Sequence, residues 1–168
     1  MTHDRFLRPG EYFFGRCEGS VITLLGSCVA VTLWHPRHHL LAVSHFVLPQ
    51  DPAGTGLDTR YANGVFQRLL ADIQDHGAPA HEYHKGLFGG GRLVRGDNGP
   101  MGRVGLNNID CALAHFQNLG WPINQQDLDG AAYRRLQADG RTGRISCQRS
   151  ASLGHPPGRS HDQSLYRR

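Results

Sequence analysis

The sequence predicts a mixed α/β fold, and three observations lead to this prediction. The first half of the chain carries successive apolar segments rich in valine, leucine and isoleucine, separated by turn residues, as in neighbouring β-strands. Two later segments carry apolar residues at intervals of three and four, as in helices that pack by one face. The chain has 168 residues, a length that fits a single domain, and we expect that domain over residues 1–150.

The predicted strands come first, over residues 21–25, 29–34 and 40–48. Gly26 and Ser27 separate the first two strands, and a turn over 35–39 separates the second from the third. Pro49 closes the third strand. The loop over residues 50–56 lies just downstream and is expected to form part of a substrate-facing rim.

A helix is predicted next, from the apolar stripe between Tyr61 and Ile73. Asp58 or Thr59 is the expected N-cap, and Gly77 suits the C′ position just past the helix. Gly64 lies inside the helix, where glycine costs about 1 kcal/mol relative to alanine. We expect the packing of the apolar stripe to offset that cost.

The second half of the chain alternates strand and helix signals. Predicted elements are a strand over 81–88, a helix over 107–119 ending at Gly120, and closing strands over 121–124 and 145–148. The run Gly89-Gly90-Gly91 lacks the lysine and Ser/Thr of a phosphate-binding P-loop, so we expect a tight turn or a close backbone contact there. Residues 151–168 are polar, basic and rich in Pro and Gly, and they are expected to form a disordered tail.

Composition favours a cytoplasmic protein with an acidic partner. No apolar run reaches the roughly 18 residues of a membrane-spanning helix, and the N-terminus lacks the apolar core of a signal peptide. The net charge is +4. Nucleic-acid binding is disfavoured because no basic stripe with interleaved aromatic residues is present. The four cysteines form no Cys-x-x-Cys pair and are expected to be free thiols.

The histidines do not predict a metal site. His35, His38 and His39 lie in one strand connection, without an acidic or cysteine ligand at a standard spacing. We interpret them as part of a solvated turn, and we expect the protein to work without a metal or another cofactor.

The corner Gly26-Ser27-Cys28 and the downstream His45 are the candidate catalytic residues. A glycine corner can present Cys28 at a strand edge, and a neighbouring imidazole is expected to lower the thiol pKa. Thr23 can fix the imidazole tautomer as a third member. The same pattern is consistent with a buried packing cysteine and a core histidine with satisfied hydrogen bonds.

Several segments make the chain resemble the CheD family, the chemoreceptor glutamine deamidases of bacterial chemotaxis. They are Pro9-Gly10-Glu11-Tyr12, Thr-Leu-Leu-Gly-Ser-Cys-Val-Ala-Val from Thr23, Ser-His-Phe-Val-Leu-Pro from Ser44, Phe88-Gly89-Gly90-Gly91, and Val104-Gly105 with Asn108. The resemblance covers residues 8–146. It implies an α/β fold, a layered β-sandwich flanked by helices, like that of the cytotoxic necrotising factor toxins.

The resemblance also implies an activity. Cys28 would be the nucleophile, His45 the general base and acid, and Thr23 the orienting residue, converting receptor glutamines to glutamate through a thioester. In some members the threonine stands one place further from the cysteine, where this chain has Ile22. The implied partners are chemoreceptor cytoplasmic domains and a CheC-type phosphatase.

Two other functions remain open from the sequence. One is a non-catalytic adaptor that binds receptors or the phosphatase and has kept the fold. The other is a cysteine hydrolase that acts on a different protein or on a small amide. The segment Asp127-Leu128-Asp129-Gly130 departs from the Asp-Leu/Ile-Gly-Gly of many CheD members. We interpret this change as a loop variation, with altered receptor docking as the alternative.

Overall fold

Two β-sheets and two α-helices form three layers, with one sheet in the middle. The structure is a computed structural model that describes residues 3–54, 56–93 and 100–150. The predicted mixed α/β fold is confirmed. The segment expected to form a disordered tail, residues 151–168, lies outside the described residues.

The elements follow one another along the chain in the order of their numbers. The strands are β1 (Arg5–Leu7), β2 (Tyr12–Gly15), β3 (Ser20–Leu25), β4 (Val29–His35), β5 (Leu40–Ser44), β6 (His84–Gly89), β7 (Gln125–Leu128), β8 (Tyr133–Asp139) and β9 (Ile145–Ser150). The helices are α1 (Ala62–His76) and α2 (Val104–Leu119), with 3₁₀ turns at Ala80–Glu82 and Pro100–Arg103.

The middle sheet carries the strand order β2-β5-β4-β6-β7, and the outer sheet carries β1-β3-β8-β9. In the middle sheet, β4 pairs antiparallel with both β5 and β6. In the outer sheet, β3 pairs antiparallel with β8 and parallel with β1. Every residue of β4 and β5 is buried, because the outer sheet covers one face of the middle sheet and the helices cover the other.

Strand alternation divides the side chains of β4 between two cores. Val29, Val31 and Leu33 face the helices and pack with apolar residues of α1 and α2. Ala30 and Trp34 face the outer sheet. We call that second cluster the intersheet core; its buried members are Leu7, Phe13, Val21, Leu25, Ala30, Trp34, Leu41, Val43, Phe88, Leu136 and Ala138.

The third predicted strand ends four residues early, at Ser44. The backbone N–H of Val31 donates to Oγ of Ser44 at 2.9 Å, so a side chain interrupts the ladder between β4 and β5. Pairing returns at one bridge, where Val29 and Phe46 exchange both backbone hydrogen bonds. His45 therefore lies in the opened stretch between a regular ladder and an isolated bridge.

The first predicted helix is present, but its predicted N-cap is wrong. Tyr61 occupies the N-cap position without a side-chain hydrogen bond. The two predicted caps have other partners: Asp58 binds the guanidinium of Arg60, and Thr59 donates its hydroxyl to the Gly10 carbonyl at 2.7 Å. The C-terminal end is as predicted, with Gly77 in the left-handed conformation.

The strand predictions for the second half need correction. The predicted closing strand over 121–124 is wrong; the chain there is irregular, and β7 follows it, pairing parallel with β6. The predicted strand over 81–88 begins only at His84, because the Ala80–Glu82 segment forms a 3₁₀ turn. Strands β1, β2, β7 and β8 were not predicted.

Gly64 fits a site that alanine cannot occupy. A Cβ atom at position 64 would overlap the backbone of Asp58 in the segment leading into α1. We expect Gly64→Ala to destabilise the protein by about 2 kcal/mol, because overpacking at a buried backbone contact exceeds the gain in helix propensity. Urea unfolding measures this change. The exposed Gln74→Ala in the same helix is the control and should be neutral; a stabilised Gly64→Ala variant would contradict the assignment.

Candidate active site

The alternation along β3 directs Thr23 into the space between the sheets. Val21, Thr23 and Leu25 are buried, whereas Ile22 and Leu24 between them are only partly buried on the opposite face. A threonine at position 22 would therefore lie on the opposite face from position 23. Only the hydroxyl at position 23 points towards the middle sheet.

The strand register brings Cys28 and His45 to the same face of the middle sheet. Because Val29 pairs with Phe46, Ala30 stands opposite His45 and Cys28 is one diagonal step away from it. Ala30 belongs to the intersheet core, and Cys28 packs against the same core. Diagonal neighbours on one face of an antiparallel pair are within reach of long side chains. In this structure, however, no hydrogen bond joins the thiol to the imidazole within the described residues.

Thr23 and His45 are joined directly. Oγ1 of Thr23 lies 2.6 Å from Nδ1 of His45 and 2.9 Å from the carbonyl oxygen of Leu7. The hydroxyl has one hydrogen, and the Leu7 carbonyl can only accept, so the hydroxyl donates to Leu7 and accepts from Nδ1–H. This donor count leaves Nε2 of His45 unprotonated in the neutral ring.

Nε2 of His45 is a buried basic nitrogen, and it has no hydrogen-bond partner among the described residues. Burial lowers the pKa of His45 to about 4, and the nearby Glu11 carboxylate only partly opposes this. Burial also raises the pKa of the Cys28 thiol to about 11. The expectation that the imidazole lowers the thiol pKa is therefore wrong for the free protein, because a neutral imidazole supplies no positive charge and desolvation dominates.

The glycine run packs its backbone against the Cys28 corner. The N–H groups of Gly90 and Gly91 donate to the carbonyls of Cys28 (2.8 Å) and Gly26 (2.9 Å). A Cβ atom at Gly89, which has φ +109°, would collide with the Cys28 carbonyl oxygen. The close backbone contact predicted for the run is present. The N–H of Cys28 donates to no acceptor within the described residues.

Asn108 links the Cys28 corner to the segment after His45. Its Nδ2 atom lies 3.0 Å from the carbonyl oxygen of Ser27 and 3.0 Å from that of Val47. The side chain is fully buried at the start of α2. The sequence signal for Asn108 was its place, with Val104 and Gly105, in a segment that resembles the CheD family, but no role followed from that resemblance.

The turn between β1 and β2 packs directly on the His45 backbone. The N–H of Gly10 donates to the His45 carbonyl at 2.7 Å, and the Gly10 carbonyl in turn accepts the Thr59 hydroxyl. The sequence reasoning missed the contribution of this N-terminal segment, in particular the Leu7 carbonyl that orients Thr23. Whether the loop over 50–56 faces a substrate stays a prediction.

The histidine turn is less solvated than predicted. His35 is fully buried: Nδ1 accepts from the His38 N–H, and Nε2 donates to the Glu82 carboxylate at 2.6 Å. The prediction of a solvated turn is wrong for this residue, because the 3₁₀ turn carrying Glu82 covers it. No group of three metal-ligating side chains occurs among the described residues. The four cysteines are free thiols, as predicted.

The segment that departs from the usual CheD sequence contains an ion-pair network. Asp127 binds the guanidinium groups of both Arg134 and Arg149, and Asp129 pairs with Arg92. Arg134 is fully buried, so the Asp127 carboxylate compensates a charge between the sheets. Asp129 adopts a positive φ of 66°, which aspartate tolerates better than most residues.

Comparison with known proteins identifies the family. A family model described as "CheD chemotactic sensory transduction" matches residues 47–149. A protein of Albidiferax ferrireducens named "Probable chemoreceptor glutamine deamidase CheD 2" is 34% identical over 164 residues, which is 95% of this chain and 94% of the relative. The chain belongs to the CheD family. A CheD relative in Dechloromonas aromatica is 37% identical over 82% of each chain, and one in Pseudomonas fluorescens is 35% identical over 82% of this chain and 80% of its own.

The family model and the full-length relatives differ in whether they cover the three candidate catalytic residues. The CheD family model begins at Val47, after Thr23, Cys28 and His45. The match to the Albidiferax relative leaves out only a twentieth of the chain, so it includes these three residues. No helix in the described ranges is long and apolar enough to cross a membrane.

The buried His45 should make stability depend on pH. Burial lowers the folded-state pKa of His45 to about 4, whereas an unfolded histidine titrates near 6.5. Between these values only the unfolded chain binds the proton, so the stability is present above about pH 6.5 and is lost as the pH falls towards 4. The free energy of unfolding should fall by about 3 kcal/mol over this window through His45. Urea titrations at several pH values measure it.

His45→Asn is the matched variant for this measurement. Every other titrating group remains, so the difference between the two pH profiles isolates the imidazole. Parallel profiles for the wild type and the variant would contradict a depressed His45 pKa.

Proposed function

We propose that this CheD-family chain is a protein-glutamine deamidase. It hydrolyses the side-chain amide of specific glutamines in chemoreceptor cytoplasmic domains and leaves glutamate, acting on C–N bonds other than peptide bonds. Family membership and the printed names of the relatives support the reaction class. The observation that carries the proposal for the site is the free, unprotonated Nε2 of His45 on the same sheet face as Cys28.

The first half of the reaction forms a thioester. Cys28 Sγ attacks the amide carbon of glutamine while its proton moves to Nε2 of His45, which gives a tetrahedral oxyanion and an imidazolium. The oxyanion collapses, the carbon–nitrogen bond breaks, and Nε2 returns the proton to the departing ammonia. In this scheme the proton transfers at Nε2 contribute roughly 10²- to 10⁴-fold in rate.

The second half releases the product. Water attacks the thioester carbon and passes one proton to Nε2; the carbon–sulfur bond then breaks, and the proton returns to Cys28. The net change is one water consumed and one ammonia released for each glutamine converted. The free N–H of Cys28 is the proposed donor to the oxyanion in both halves, and one such donor is typically worth about 10²- to 10³-fold in rate.

Thr23 is the proposed orienting residue. It accepts from Nδ1–H, and this contact keeps the neutral ring in the tautomer whose Nε2 can take a proton. When Nε2 becomes protonated, the short contact also remains favourable to the positive ring, because Thr23 Oγ1 presents a lone pair to Nδ1–H.

The proposed partners and location follow from the same reaction. The substrate is the acidic helical bundle of a chemoreceptor, and the net charge of +4 favours encounter with it. A CheC-type phosphatase is proposed as a second partner, and the cytoplasm, where receptor signalling helices and free thiols both occur, as the location. The layering of two sheets and a helical layer supports a fold like that of the cytotoxic necrotising factor-type cysteine hydrolases.

Removal of the nucleophile should abolish deamidation. We expect Cys28→Ala to give no Gln-to-Glu conversion, because no other thiol lies on the described face beside His45; His45→Ala should lose roughly 10²- to 10⁴-fold. Mass spectrometry of a receptor cytoplasmic fragment, incubated with each variant, measures conversion site by site. Cys17→Ala, a partly buried cysteine packed against the same intersheet core, is the matched control and should stay active.

Two results would contradict the proposal. Conversion at the wild-type rate by Cys28→Ala would exclude Cys28 as the nucleophile. Absence of conversion by the wild type, with the fragment bound equally by both proteins, would instead support the non-catalytic adaptor.

Loss of the Thr23 hydroxyl should slow turnover without removing the catalytic groups. Thr23→Val leaves Nδ1–H of His45 without its acceptor; an unsatisfied buried group costs about 1–3 kcal/mol, which corresponds to roughly 5- to 150-fold in kcat. Thr32→Val is the control, since Thr32 is a buried threonine in the middle of β4 that makes no hydrogen bond to His45. An Ile22→Thr, Thr23→Val double variant should stay slow, and its recovery would show that position 22 can supply the hydroxyl.

A further inference from the structure

We propose that Asn108 is a positioning residue for the Cys28–His45 pair. It holds the corner that carries Cys28 against the segment that follows His45, and so sets the separation of thiol and imidazole. The inference rests on the proposed function, in which these two side chains react together. It adds a third segment to the site, the first turns of α2, which lies 60 or more residues away in sequence from both.

The hydrogen bonds of Asn108 have one consistent assignment. The Ser27 and Val47 carbonyls can only accept, and Nδ2 of Asn108 carries two hydrogens, so each hydrogen serves one carbonyl at 3.0 Å. With the amide flipped, Oδ1 would face the two carbonyl oxygens, and no hydrogen would be available for either contact. The amide therefore joins the peptide group immediately before Cys28 to a peptide group two residues after His45.

This link replaces a sheet contact that the backbone does not make. The ladder between β4 and β5 is interrupted at Ser44, and only the Val29–Phe46 bridge pairs the chain segments next to the site. Beyond that bridge, a continued ladder would direct the N–H of Leu48 to the Ser27 carbonyl, but this N–H donates to the Arg60 carbonyl at 3.3 Å instead. The Asn108 amide thus ties together two segments at the point where their mutual backbone pairing ends.

The position of Asn108 is itself set by close backbone packing. A Cβ atom on Gly105, one turn earlier in α2, would collide with the carbonyl oxygens of Gly90 and Gly91. Those two glycines donate to the Cys28 and Gly26 carbonyls. The start of α2, the glycine run and the Cys28 corner consequently form one contiguous backbone stack, and Asn108 projects from its helical side.

The energetics argue against a purely structural role. Asn108 is fully buried, and its Oδ1 atom has no hydrogen-bond partner among the described residues. A buried carbonyl oxygen left without a donor destabilises the folded state. An apolar residue would avoid that cost at a position selected for packing alone. The two hydrogen bonds from Nδ2 to the Ser27 and Val47 carbonyls explain why an amide occupies this position.

The test uses Asn108→Ala and Asn108→Asp in the full chain. Ala donates to neither carbonyl and a protonated Asp to at most one, and Asp keeps the size of Asn. We expect kcat for Gln-to-Glu conversion of the receptor fragment to fall at least about tenfold in both variants, with a much smaller change in KM, because misplaced groups lose rate rather than binding. Near-UV circular dichroism measures the folded fraction, and kcat is calculated per folded molecule.

A second readout does not depend on deamidation. Burial suppresses the reactivity of the Cys28 thiol, so a loosened corner should make it react faster with iodoacetamide at pH 8. Slower turnover together with faster alkylation is the signature of lost positioning, whereas simple unfolding would lower the folded fraction and leave the kcat of the remainder unchanged. Asn124→Ala is the control, since Asn124 accepts from the Lys85 N–H at the other end of β6 and should alter neither quantity.

The outcomes separate the two proposals. Unchanged kcat and unchanged alkylation in both Asn108 variants would overturn the positioning role and leave the deamidase standing, provided that Cys28→Ala is inactive. Deamidation that survives in Cys28→Ala would overturn the proposed catalytic site; faster alkylation in the Asn108 variants would then still show that Asn108 holds the corner.

Discussion

The hydrogen bond between Thr23 and His45 is the interaction on which the proposed site depends, because it crosses from one sheet to the other. Thr23 belongs to the outer sheet and His45 follows the last residue of a middle-sheet strand, so the imidazole orientation is set by the packing of two layers rather than by its own strand. The Leu7 carbonyl accepts the hydrogen of the Thr23 hydroxyl, so the hydroxyl can only accept from His45. The tautomer of His45 is therefore a consequence of how β1, β3 and the middle sheet stack.

Burial determines the chemical state of the pair. The same desolvation lowers the pKa of His45 to about 4 and raises that of Cys28 to about 11, so both side chains are neutral in the free protein at pH 7. Many cysteine sites with a low thiol pKa contain a thiolate–imidazolium pair before the substrate binds. The raised pKa of Cys28 and the lowered pKa of His45 exclude such a pair here. In the proposed reaction the Cys28 thiol therefore loses its proton only as it attacks, so that Nε2 of His45 is as important as the thiol, and the neutral resting thiol is protected from oxidation.

Much of the site could be predicted from the sequence because it obeys local rules. The alternation of β3 alone directs Thr23 inward, and a Gly-Ser-Cys corner between two apolar strands places Cys28 at a strand edge. Strand β8 was not predicted because its inward face carries Arg134, a buried arginine. The carboxylate that compensates it, Asp127, lies on β7 in the other sheet, and the sequence does not mark this pairing. The thiol pKa could not be predicted either, since it depends on how deeply the layers bury the corner.

The backbone contacts explain why the sequence around the site is rich in glycine. The N–H groups of Gly90 and Gly91 hold the Cys28 corner by donating to the carbonyls of Cys28 and Gly26, and side chains at these positions or at Gly105 would separate the stacked segments. A corner fixed by backbone atoms can remain rigid while the Cys28 thiol and Nε2 of His45 have no hydrogen-bond partner among the described residues. Four buried side-chain polar atoms have no hydrogen-bond partner among the described residues. Two of them, Nε2 of His45 and Oδ1 of Asn108, lie at the proposed site, and each destabilises the folded state by roughly 1–3 kcal/mol. The fully buried β4 and β5, packed on both faces, provide the stability that lets the fold keep them.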